Sequence, residues 1–252
     1  MHTVRSLAAA CAALATGSLM LNGCAGPAKG PLSATQQADL HQAVIRVLGP
    51  MNQAANKDWL SGAVSLEVTI DRNNQLLKCA AKPTSGAPGL AAVAERACWA
   101  TVFPPVPAQA FNADGQARLR MPIVFDMDPV SDPQLRARYE GIAFPAFSQG
   151  QYFWDHGIAA VGPTSVGEAR FQYVADRQGR VLACTASIAP AEAREGEFRD
   201  NPHLLERLNG ACLQMNLAAM PGFAAGNNGL ANGTVWTSYS PWRQAAPQPK
   251  DY

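Results

Sequence analysis

The sequence predicts an α+β protein of two repeated small antiparallel-sheet-plus-helix units, each closed by a helix-to-strand disulfide. Three observations predict it. Residues 62–79 (GAVSLEVTIDRNNQLLKC) and 167–184 (GEARFQYVADRQGRVLAC) align without a gap at an offset of 105, keeping Gly, Asp-Arg, a late Leu and a final Cys in register. Apolar residues alternate with polar ones along the start of each stretch, the period of a half-buried strand. A second cysteine then follows inside a helical pattern, Cys98 after Cys79 and Cys212 after Cys184.

The chain opens with Arg5 ahead of an uncharged Ala/Leu-rich run over 6–20, the n-region and h-region of an export signal. The run is too short for a membrane span, which needs about 20 strongly apolar residues. It ends in Leu21-Asn22-Gly23-Cys24, which resembles the bacterial lipobox. That resemblance implies cleavage before Cys24, diacylglycerol on its sulfur and an acyl chain on the new amine, enough for a stable membrane anchor. Ala25, rather than Asp, follows the cysteine, which under the same sorting rules implies the outer membrane rather than the inner. The expected organisation is a signal peptide over 1–23, a Pro/Gly-rich tether over 24–32, a first domain over 33–128 with an N-terminal helix, an aromatic-rich linker over 129–163, and a more degenerate second domain over 164–245.

In the first domain, Ser33 and Gln36 form a capping box for an amphipathic helix over 33–48, with Leu40, Val44, Val47, Leu48 and Met51 on one face and Gly49-Pro50 as the stop. That face either docks on the first domain or recruits a partner helix. Val64, Leu66, Val68 and Ile70 mark a strand, and Ala169, Phe171, Tyr173 and Ala175 mark its counterpart. The turns begin at Asp71 and Asp176 and carry Asn74 and Gly179, residues suited to the left-handed conformation of a type I turn with a bulge. The next strand places Leu77 with Cys79, and Leu182 with Cys184, on one face. Helices follow through Leu90, Val93, Ala94, Ala97 and Cys98, and through Leu204, Leu208, Ala211, Cys212 and Met215, each ending before a proline. Strands over Gln116–Phe125 and 233–239 close the two units.

Four cysteines remain after removal of Cys11 and lipidation of Cys24, and the repeat pairs them as Cys79–Cys98 and Cys184–Cys212. Each bridge closes a loop of about 20 to 30 residues and stabilises by roughly 3 kcal/mol. A zinc site is the competing reading; no CxxC spacing or recurring His supports it. The formal charge of +1 and the lack of any Lys/Arg stripe along the sequence exclude nucleic acid.

These residues resemble the C-terminal domain of TonB, the energy transducer of Gram-negative bacteria. The resemblance runs through Gly62 to Asn74, Ser85-Gly86, the helix from Leu90, Phe103-Pro104-Pro105-Val106-Pro107 and the strand ending at Phe125, and returns more loosely over 165–242. In that family the last strand captures an extended segment of a receptor. The equivalent here is Gln116–Phe125, with Gln116, Arg118, Arg120 and Pro122 as partner-binding residues; Pro122 removes a donor, as an edge strand tolerates. A lipobox and short tether replace the family's membrane helix and long spacer, so proton-driven energy transduction is not implied.

Linker aromatics Tyr139, Phe144, Phe147, Tyr152, Phe153 and Trp154 either pack between the domains or line a groove, with Tyr152 and Trp154 as further partner-binding candidates. No GxSxG, HExxH, P-loop or dinucleotide-binding glycine motif occurs, and His41, His156 and His203 stand apart in the sequence. The expectation is a non-enzymatic envelope lipoprotein, without cofactor or metal, that faces the periplasm and binds envelope proteins, including outer-membrane receptors or transport components. A small-molecule or glycan binder is the alternative.

Overall fold

A computed structural model of the chain describes residues 32–125 and 132–245; the expected signal peptide, Cys24 and almost all of the tether lie outside them. Among the described residues no helix is long and apolar enough to cross a membrane. The fold is mixed α+β, with two three-stranded antiparallel sheets and two disulfides.

In the first sheet β1 (Gly62–Asp71) lies between β2 (Leu76–Gly86) and β3 (Gln116–Phe125). In the second, β4 (Gly167–Asp176) lies between β5 (Val181–Ala189) and β6 (Leu230–Tyr239). The alternation sets which face is buried: Val64, Leu66, Val68 and Ile70 are almost fully inside, as are Ala169, Phe171 and Ala175. β6 begins three residues earlier than the sequence pattern indicated.

Both hairpin turns take the expected form. Asp71 Oδ1 accepts from the amides of Asn73 (2.9 Å) and Gln75 (2.8 Å), and Asp176 Oδ1 from those of Gln178 (2.9 Å) and Arg180 (3.0 Å). Asn74 (φ 57°) and Gly179 (φ 78°) hold the left-handed position. Their surroundings explain why they differ. Asn74 Oδ1 accepts from the Val106 amide at 2.6 Å, so the side chain ties the turn to the segment after α2 (Leu90–Ala100). At Gly179 the backbone itself fills that role: its carbonyl accepts from the Leu217 amide at 2.7 Å, and a Cβ would collide with Ala218.

Leu77 and Leu182 do not share the buried face of their cysteines; they are 47% and 57% exposed. The ladder shifts by one residue there: Leu76 pairs with Ile70 and Lys78 with Thr69, while Val181 pairs with Ala175 and Ala183 with Val174. Leu77 and Leu182 are the extra residues of β-bulges, and the change of phase moves them outward.

Leu90, Val93, Ala94, Ala97 and Cys98 of α2 are all buried, and the Cys79–Cys98 bond ties the helix to β2. The counterpart helix, α6 (Pro202–Gln214), is started by Asn201, whose Oδ1 accepts from the Leu204 amide at 3.0 Å, and Cys212 joins it to β5 through Cys184. It stops well before Pro221, because the chain leaves it to bridge Asn216 to Arg180.

The N-terminal helix α1 has the predicted capping box at Ser33 and Gln36 but does not stop at Gly49-Pro50; it spans Ala34–Ala55. Pro50 removes one backbone donor, yet the apolar face continues from Leu40, Val44 and Leu48 to half-buried Met51 and buried Ala55 in the first core. This face therefore docks on its own chain.

The segment expected as a linker is mostly helical. α3 (Pro133–Arg138), α4 (Phe144–Phe153) and the short α5 (Ala159–Val161) are joined by π-helical turns over Tyr139–Ala143 and Trp154–Ile158. Phe153, Trp154, Ile158 and Val161 enter the core of the second sheet, while Phe147 packs on that of the first.

The halves share more than a surface. Val166, Ala191 and Trp242 belong to the first core although they come from the second half. Between them Arg194, almost fully buried, sends Nε to the Phe103 carbonyl (2.6 Å) and Nη2 to the Asn74 carbonyl (2.6 Å), and pairs through Nη1 with Glu197 at 3.0 Å. Its guanidinium carbon stands 4.9 Å from the centre of the Trp242 ring.

Arg194→Met leaves the buried Phe103 carbonyl and the part-buried Asn74 carbonyl without this donor and should lower unfolding free energy by about 3 kcal/mol, measured by urea denaturation. Asn74→Gly should cost on the order of 1 kcal/mol for one lost hydrogen bond; Gly179→Asn, which only imports the first turn's own residue, should cost more because its side chain has no room.

Candidate functional site

A sheet edge exposes unpaired amides and carbonyls unless something covers it, and at three of the four edges here another element bonds to or packs against part of the strand. At β2 the Ala81 amide donates to Glu95 Oε1 of α2 (2.8 Å), and at β5 the Ala186 amide donates to Asn209 Oδ1 of α6 (2.8 Å). At β6, α4 lies so close that a Cβ on Gly150 would stand 2.9 Å from the Trp236 carbonyl oxygen. Beside it Arg243 Nη1 donates to the Ser238 carbonyl (2.7 Å) and Nη2 to Gln151 Oε1 (2.6 Å).

The outer edge of β3 is left. Among the described elements, its substantial contacts are with β1 and the short 3-10 turn Ala108–Ala110. Pro122 sits opposite Ser65 and has no N–H to give β1. Its pair is therefore of the non-hydrogen-bonded kind, in which backbone groups point away from the partner strand. The ladder with β1 has no register shift, so by alternation the amides of Arg118, Arg120 and Val124 also point to the open edge.

The solvent face of the same sheet is basic. Arg118 and Arg120 project from β3, Lys78 and Lys82 from β2, with Glu67 of β1 between them. Glu67 accepts from Arg120 Nη2 at 2.7 Å and lies 3.4 Å from Lys78 Nζ. Hydrogen bonds from Arg120 and then Lys78 hold its carboxyl below the usual range. Arg118 and Lys82 have no ion pair among the described residues. Glu67, Lys78, Lys82 and Arg120 border a shallow depression of about 290 Å³. Farther along β3 Pro122 is exposed and Val124 is 68% exposed.

Of the residues expected to bind a partner, Arg118, Arg120 and Pro122 stand together on this strand. Gln116 is half-buried at its start, its amide held by Asn112 Oδ1 at 2.9 Å. Trp154 is no surface residue: it is 3% exposed, with the Arg243 guanidinium carbon 4.4 Å from its ring centre. Tyr152 is half-buried, donates to the Asn216 carbonyl and stacks on His156. The sequence reading missed Lys78, Lys82 and Val124. The signal that could have found them is strand alternation, which puts Lys78 and Lys82 on the solvent phase of β2 and Val124 on that of Arg118, Arg120 and Pro122.

A separate cleft of about 540 Å³ lies between α1, the segment from α3 to α4, and β6. Tyr139, Ile142, Phe147 and Trp236 give it apolar walls, while Glu168 and Arg243 are polar. Ile142 and Trp236 are 66% and 54% exposed. Burial and the nearby charge of Glu192 raise the Glu168 carboxyl. Burial also raises Asp155, opposed by Arg243 and His156. His41, His156 and His203 are all exposed. Among the described residues no three of His, Cys, Asp and Glu gather into a metal-binding group.

Because folding raises the Glu168 carboxyl, its contribution to stability is present below about pH 4 and lost as pH rises through the folded value. Glu168→Gln should therefore melt at a higher temperature than the natural chain at pH 7 and at the same temperature near pH 3, as thermal denaturation across pH would show.

In comparisons with protein-family models, curated proteins and solved structures, nothing matches this chain.

Proposed function

We propose that this protein is a lipid-anchored envelope protein that binds other proteins without catalysing a reaction, by taking an extended partner segment onto the outer edge of β3. The observation that carries this reading is the uncovered edge itself, since α2, α6, and α4 with Arg243 each engage part of one of the other three. Main-chain hydrogen bonds along such an edge provide affinity, and side chains on alternate residues provide choice of partner.

The two halves are read as tandem copies of a TonB C-terminal-like unit. Equal strand orders, matching Asp-led turns and a helix-to-strand disulfide in each support this. Only the first copy keeps its last strand open; the second acts as a brace. Anchoring through Cys24, in the outer membrane by the residue that follows it, would hold the open edge in the periplasm, where outer-membrane receptors or transport components present extended segments. A small-molecule or glycan ligand is the second reading. Phe144, Phe153 and Trp154 are buried, so such a ligand would use the cleft beside Ile142 and Trp236.

Photo-crosslinking in cells tests the main reading. Probes at Arg118 and Val124 should give adducts with envelope proteins, and a probe at Ser238, where Arg243 holds the β6 backbone, should not. Arg120→Pro removes an outward amide without taking a donor from β1, so it should cut the adduct yield by about tenfold, the worth of one hydrogen bond. Equal yields from β3 and β6 probes would refute edge addition.

A further inference from the structure

We infer that the segment taken up by β3 is acidic on alternate residues, with carboxylates facing Arg118 and Arg120 and an apolar residue facing Val124. The inference rests on the strand addition proposed above and names what the added strand must carry. Directly opposed residues on neighbouring antiparallel strands have their Cβ atoms about 4.5–5.5 Å apart and interact pairwise. Each side chain on the solvent face of β3 thus selects the partner residue opposite it.

The four positions on that face are Arg118, Arg120, Pro122 and Val124, all exposed. An antiparallel partner reads, from its N-terminus, an apolar residue against Val124, an unrestricted one against Pro122, and acids against Arg120 and Arg118, with any residue between. The local charge agrees. Lys78, Lys82, Arg118 and Arg120 outnumber the single carboxylate of Glu67, and Arg118 and Lys82 carry no ion pair among the described residues. Arg120 is already held by Glu67 at 2.7 Å, which fixes its guanidinium on the face where an incoming carboxylate arrives. A neutral strand leaves Arg118 unpaired, and a basic one sets like charges directly opposite, which is unfavourable. The surplus positive charge over an otherwise nearly neutral chain also speeds encounter with an acidic segment.

The test uses the full chain in neutral detergent and short fluorescent peptides read by anisotropy. The peptide Val-Thr-Ser-Thr-Glu-Thr-Glu should bind about tenfold more tightly than its isomer ending Thr-Glu-Glu, which can face only one acid to the arginines. Backbone N-methylation of the tighter peptide should abolish binding. The double variant Arg118→Glu with Arg120→Glu should reverse the preference towards a peptide with Lys in place of Glu, a gain that misfolding could not produce.

Equal binding of both isomers and an all-Thr peptide, still lost on N-methylation, would overturn the acidic pattern while leaving strand addition standing. Binding that survives N-methylation would overturn both. Capture of phosphatidylglycerol vesicles, lost in the double variant, with none of the peptides bound, would assign the face to a membrane surface and overturn the inference.

Discussion

Arg194 is the contact on which the arrangement of the two halves depends. A guanidinium is costly to bury unless its donors find acceptors, and here they find the Phe103 and Asn74 carbonyls of the first half and Glu197 of its own turn. Those carbonyls are not interchangeable with others. Asn74 is the left-handed residue of the first hairpin turn, and Phe103 begins the segment after α2 whose Val106 amide closes on the same Asn74. One side chain therefore registers turn, post-helix segment and second half together. Desolvation lowers the Arg194 pKa, against the pull of Glu197.

The edges meet different fates. The helical segment 133–161 lies between the halves: Phe147 packs on the first core and Trp59 stands against Tyr139 and Phe144, while α4 and Arg243 lie along β6. The first half uses its own preceding helix differently: α1 packs against α2, on the helical layer and away from β3. The same kind of element thus covers a sheet edge in one half and a helix in the other. In the proposed reading this asymmetry leaves one half to bind and makes the other a support.

Much of this was legible in the residues. Alternation located β1 and β4, the Asp-led turns located the hairpins, and the repeat paired the cysteines, because each signal is local in the chain. What escaped was set by contacts between distant segments. Pro50 reads as a stop until Ala55 is seen to enter the core; Leu77 and Leu182 read as inward until the bulges shift the phase; the linker aromatics read as either packing or groove until Trp154 is seen inside with Arg243 over its ring. The candidate site was half-legible. Arg118, Arg120 and Pro122 followed from their strand, but the basic face needs Lys78 and Lys82 as well, and β1 must come between β2 and β3 before the four cations share a surface.

The borrowed residues of the first core have a consequence for how the chain matures. A polypeptide emerges from the ribosome N-terminus first, and a domain that is complete in sequence can fold as it emerges. The first sheet cannot finish in that way, because Val166, Ala191 and Trp242 complete its core. Its β-strands are all made long before the last of these residues appears. Until then the incomplete core exposes apolar surface and β3 presents a bare edge, the combination most prone to mispairing. The core of the first sheet is therefore complete only once the last of these residues is in place.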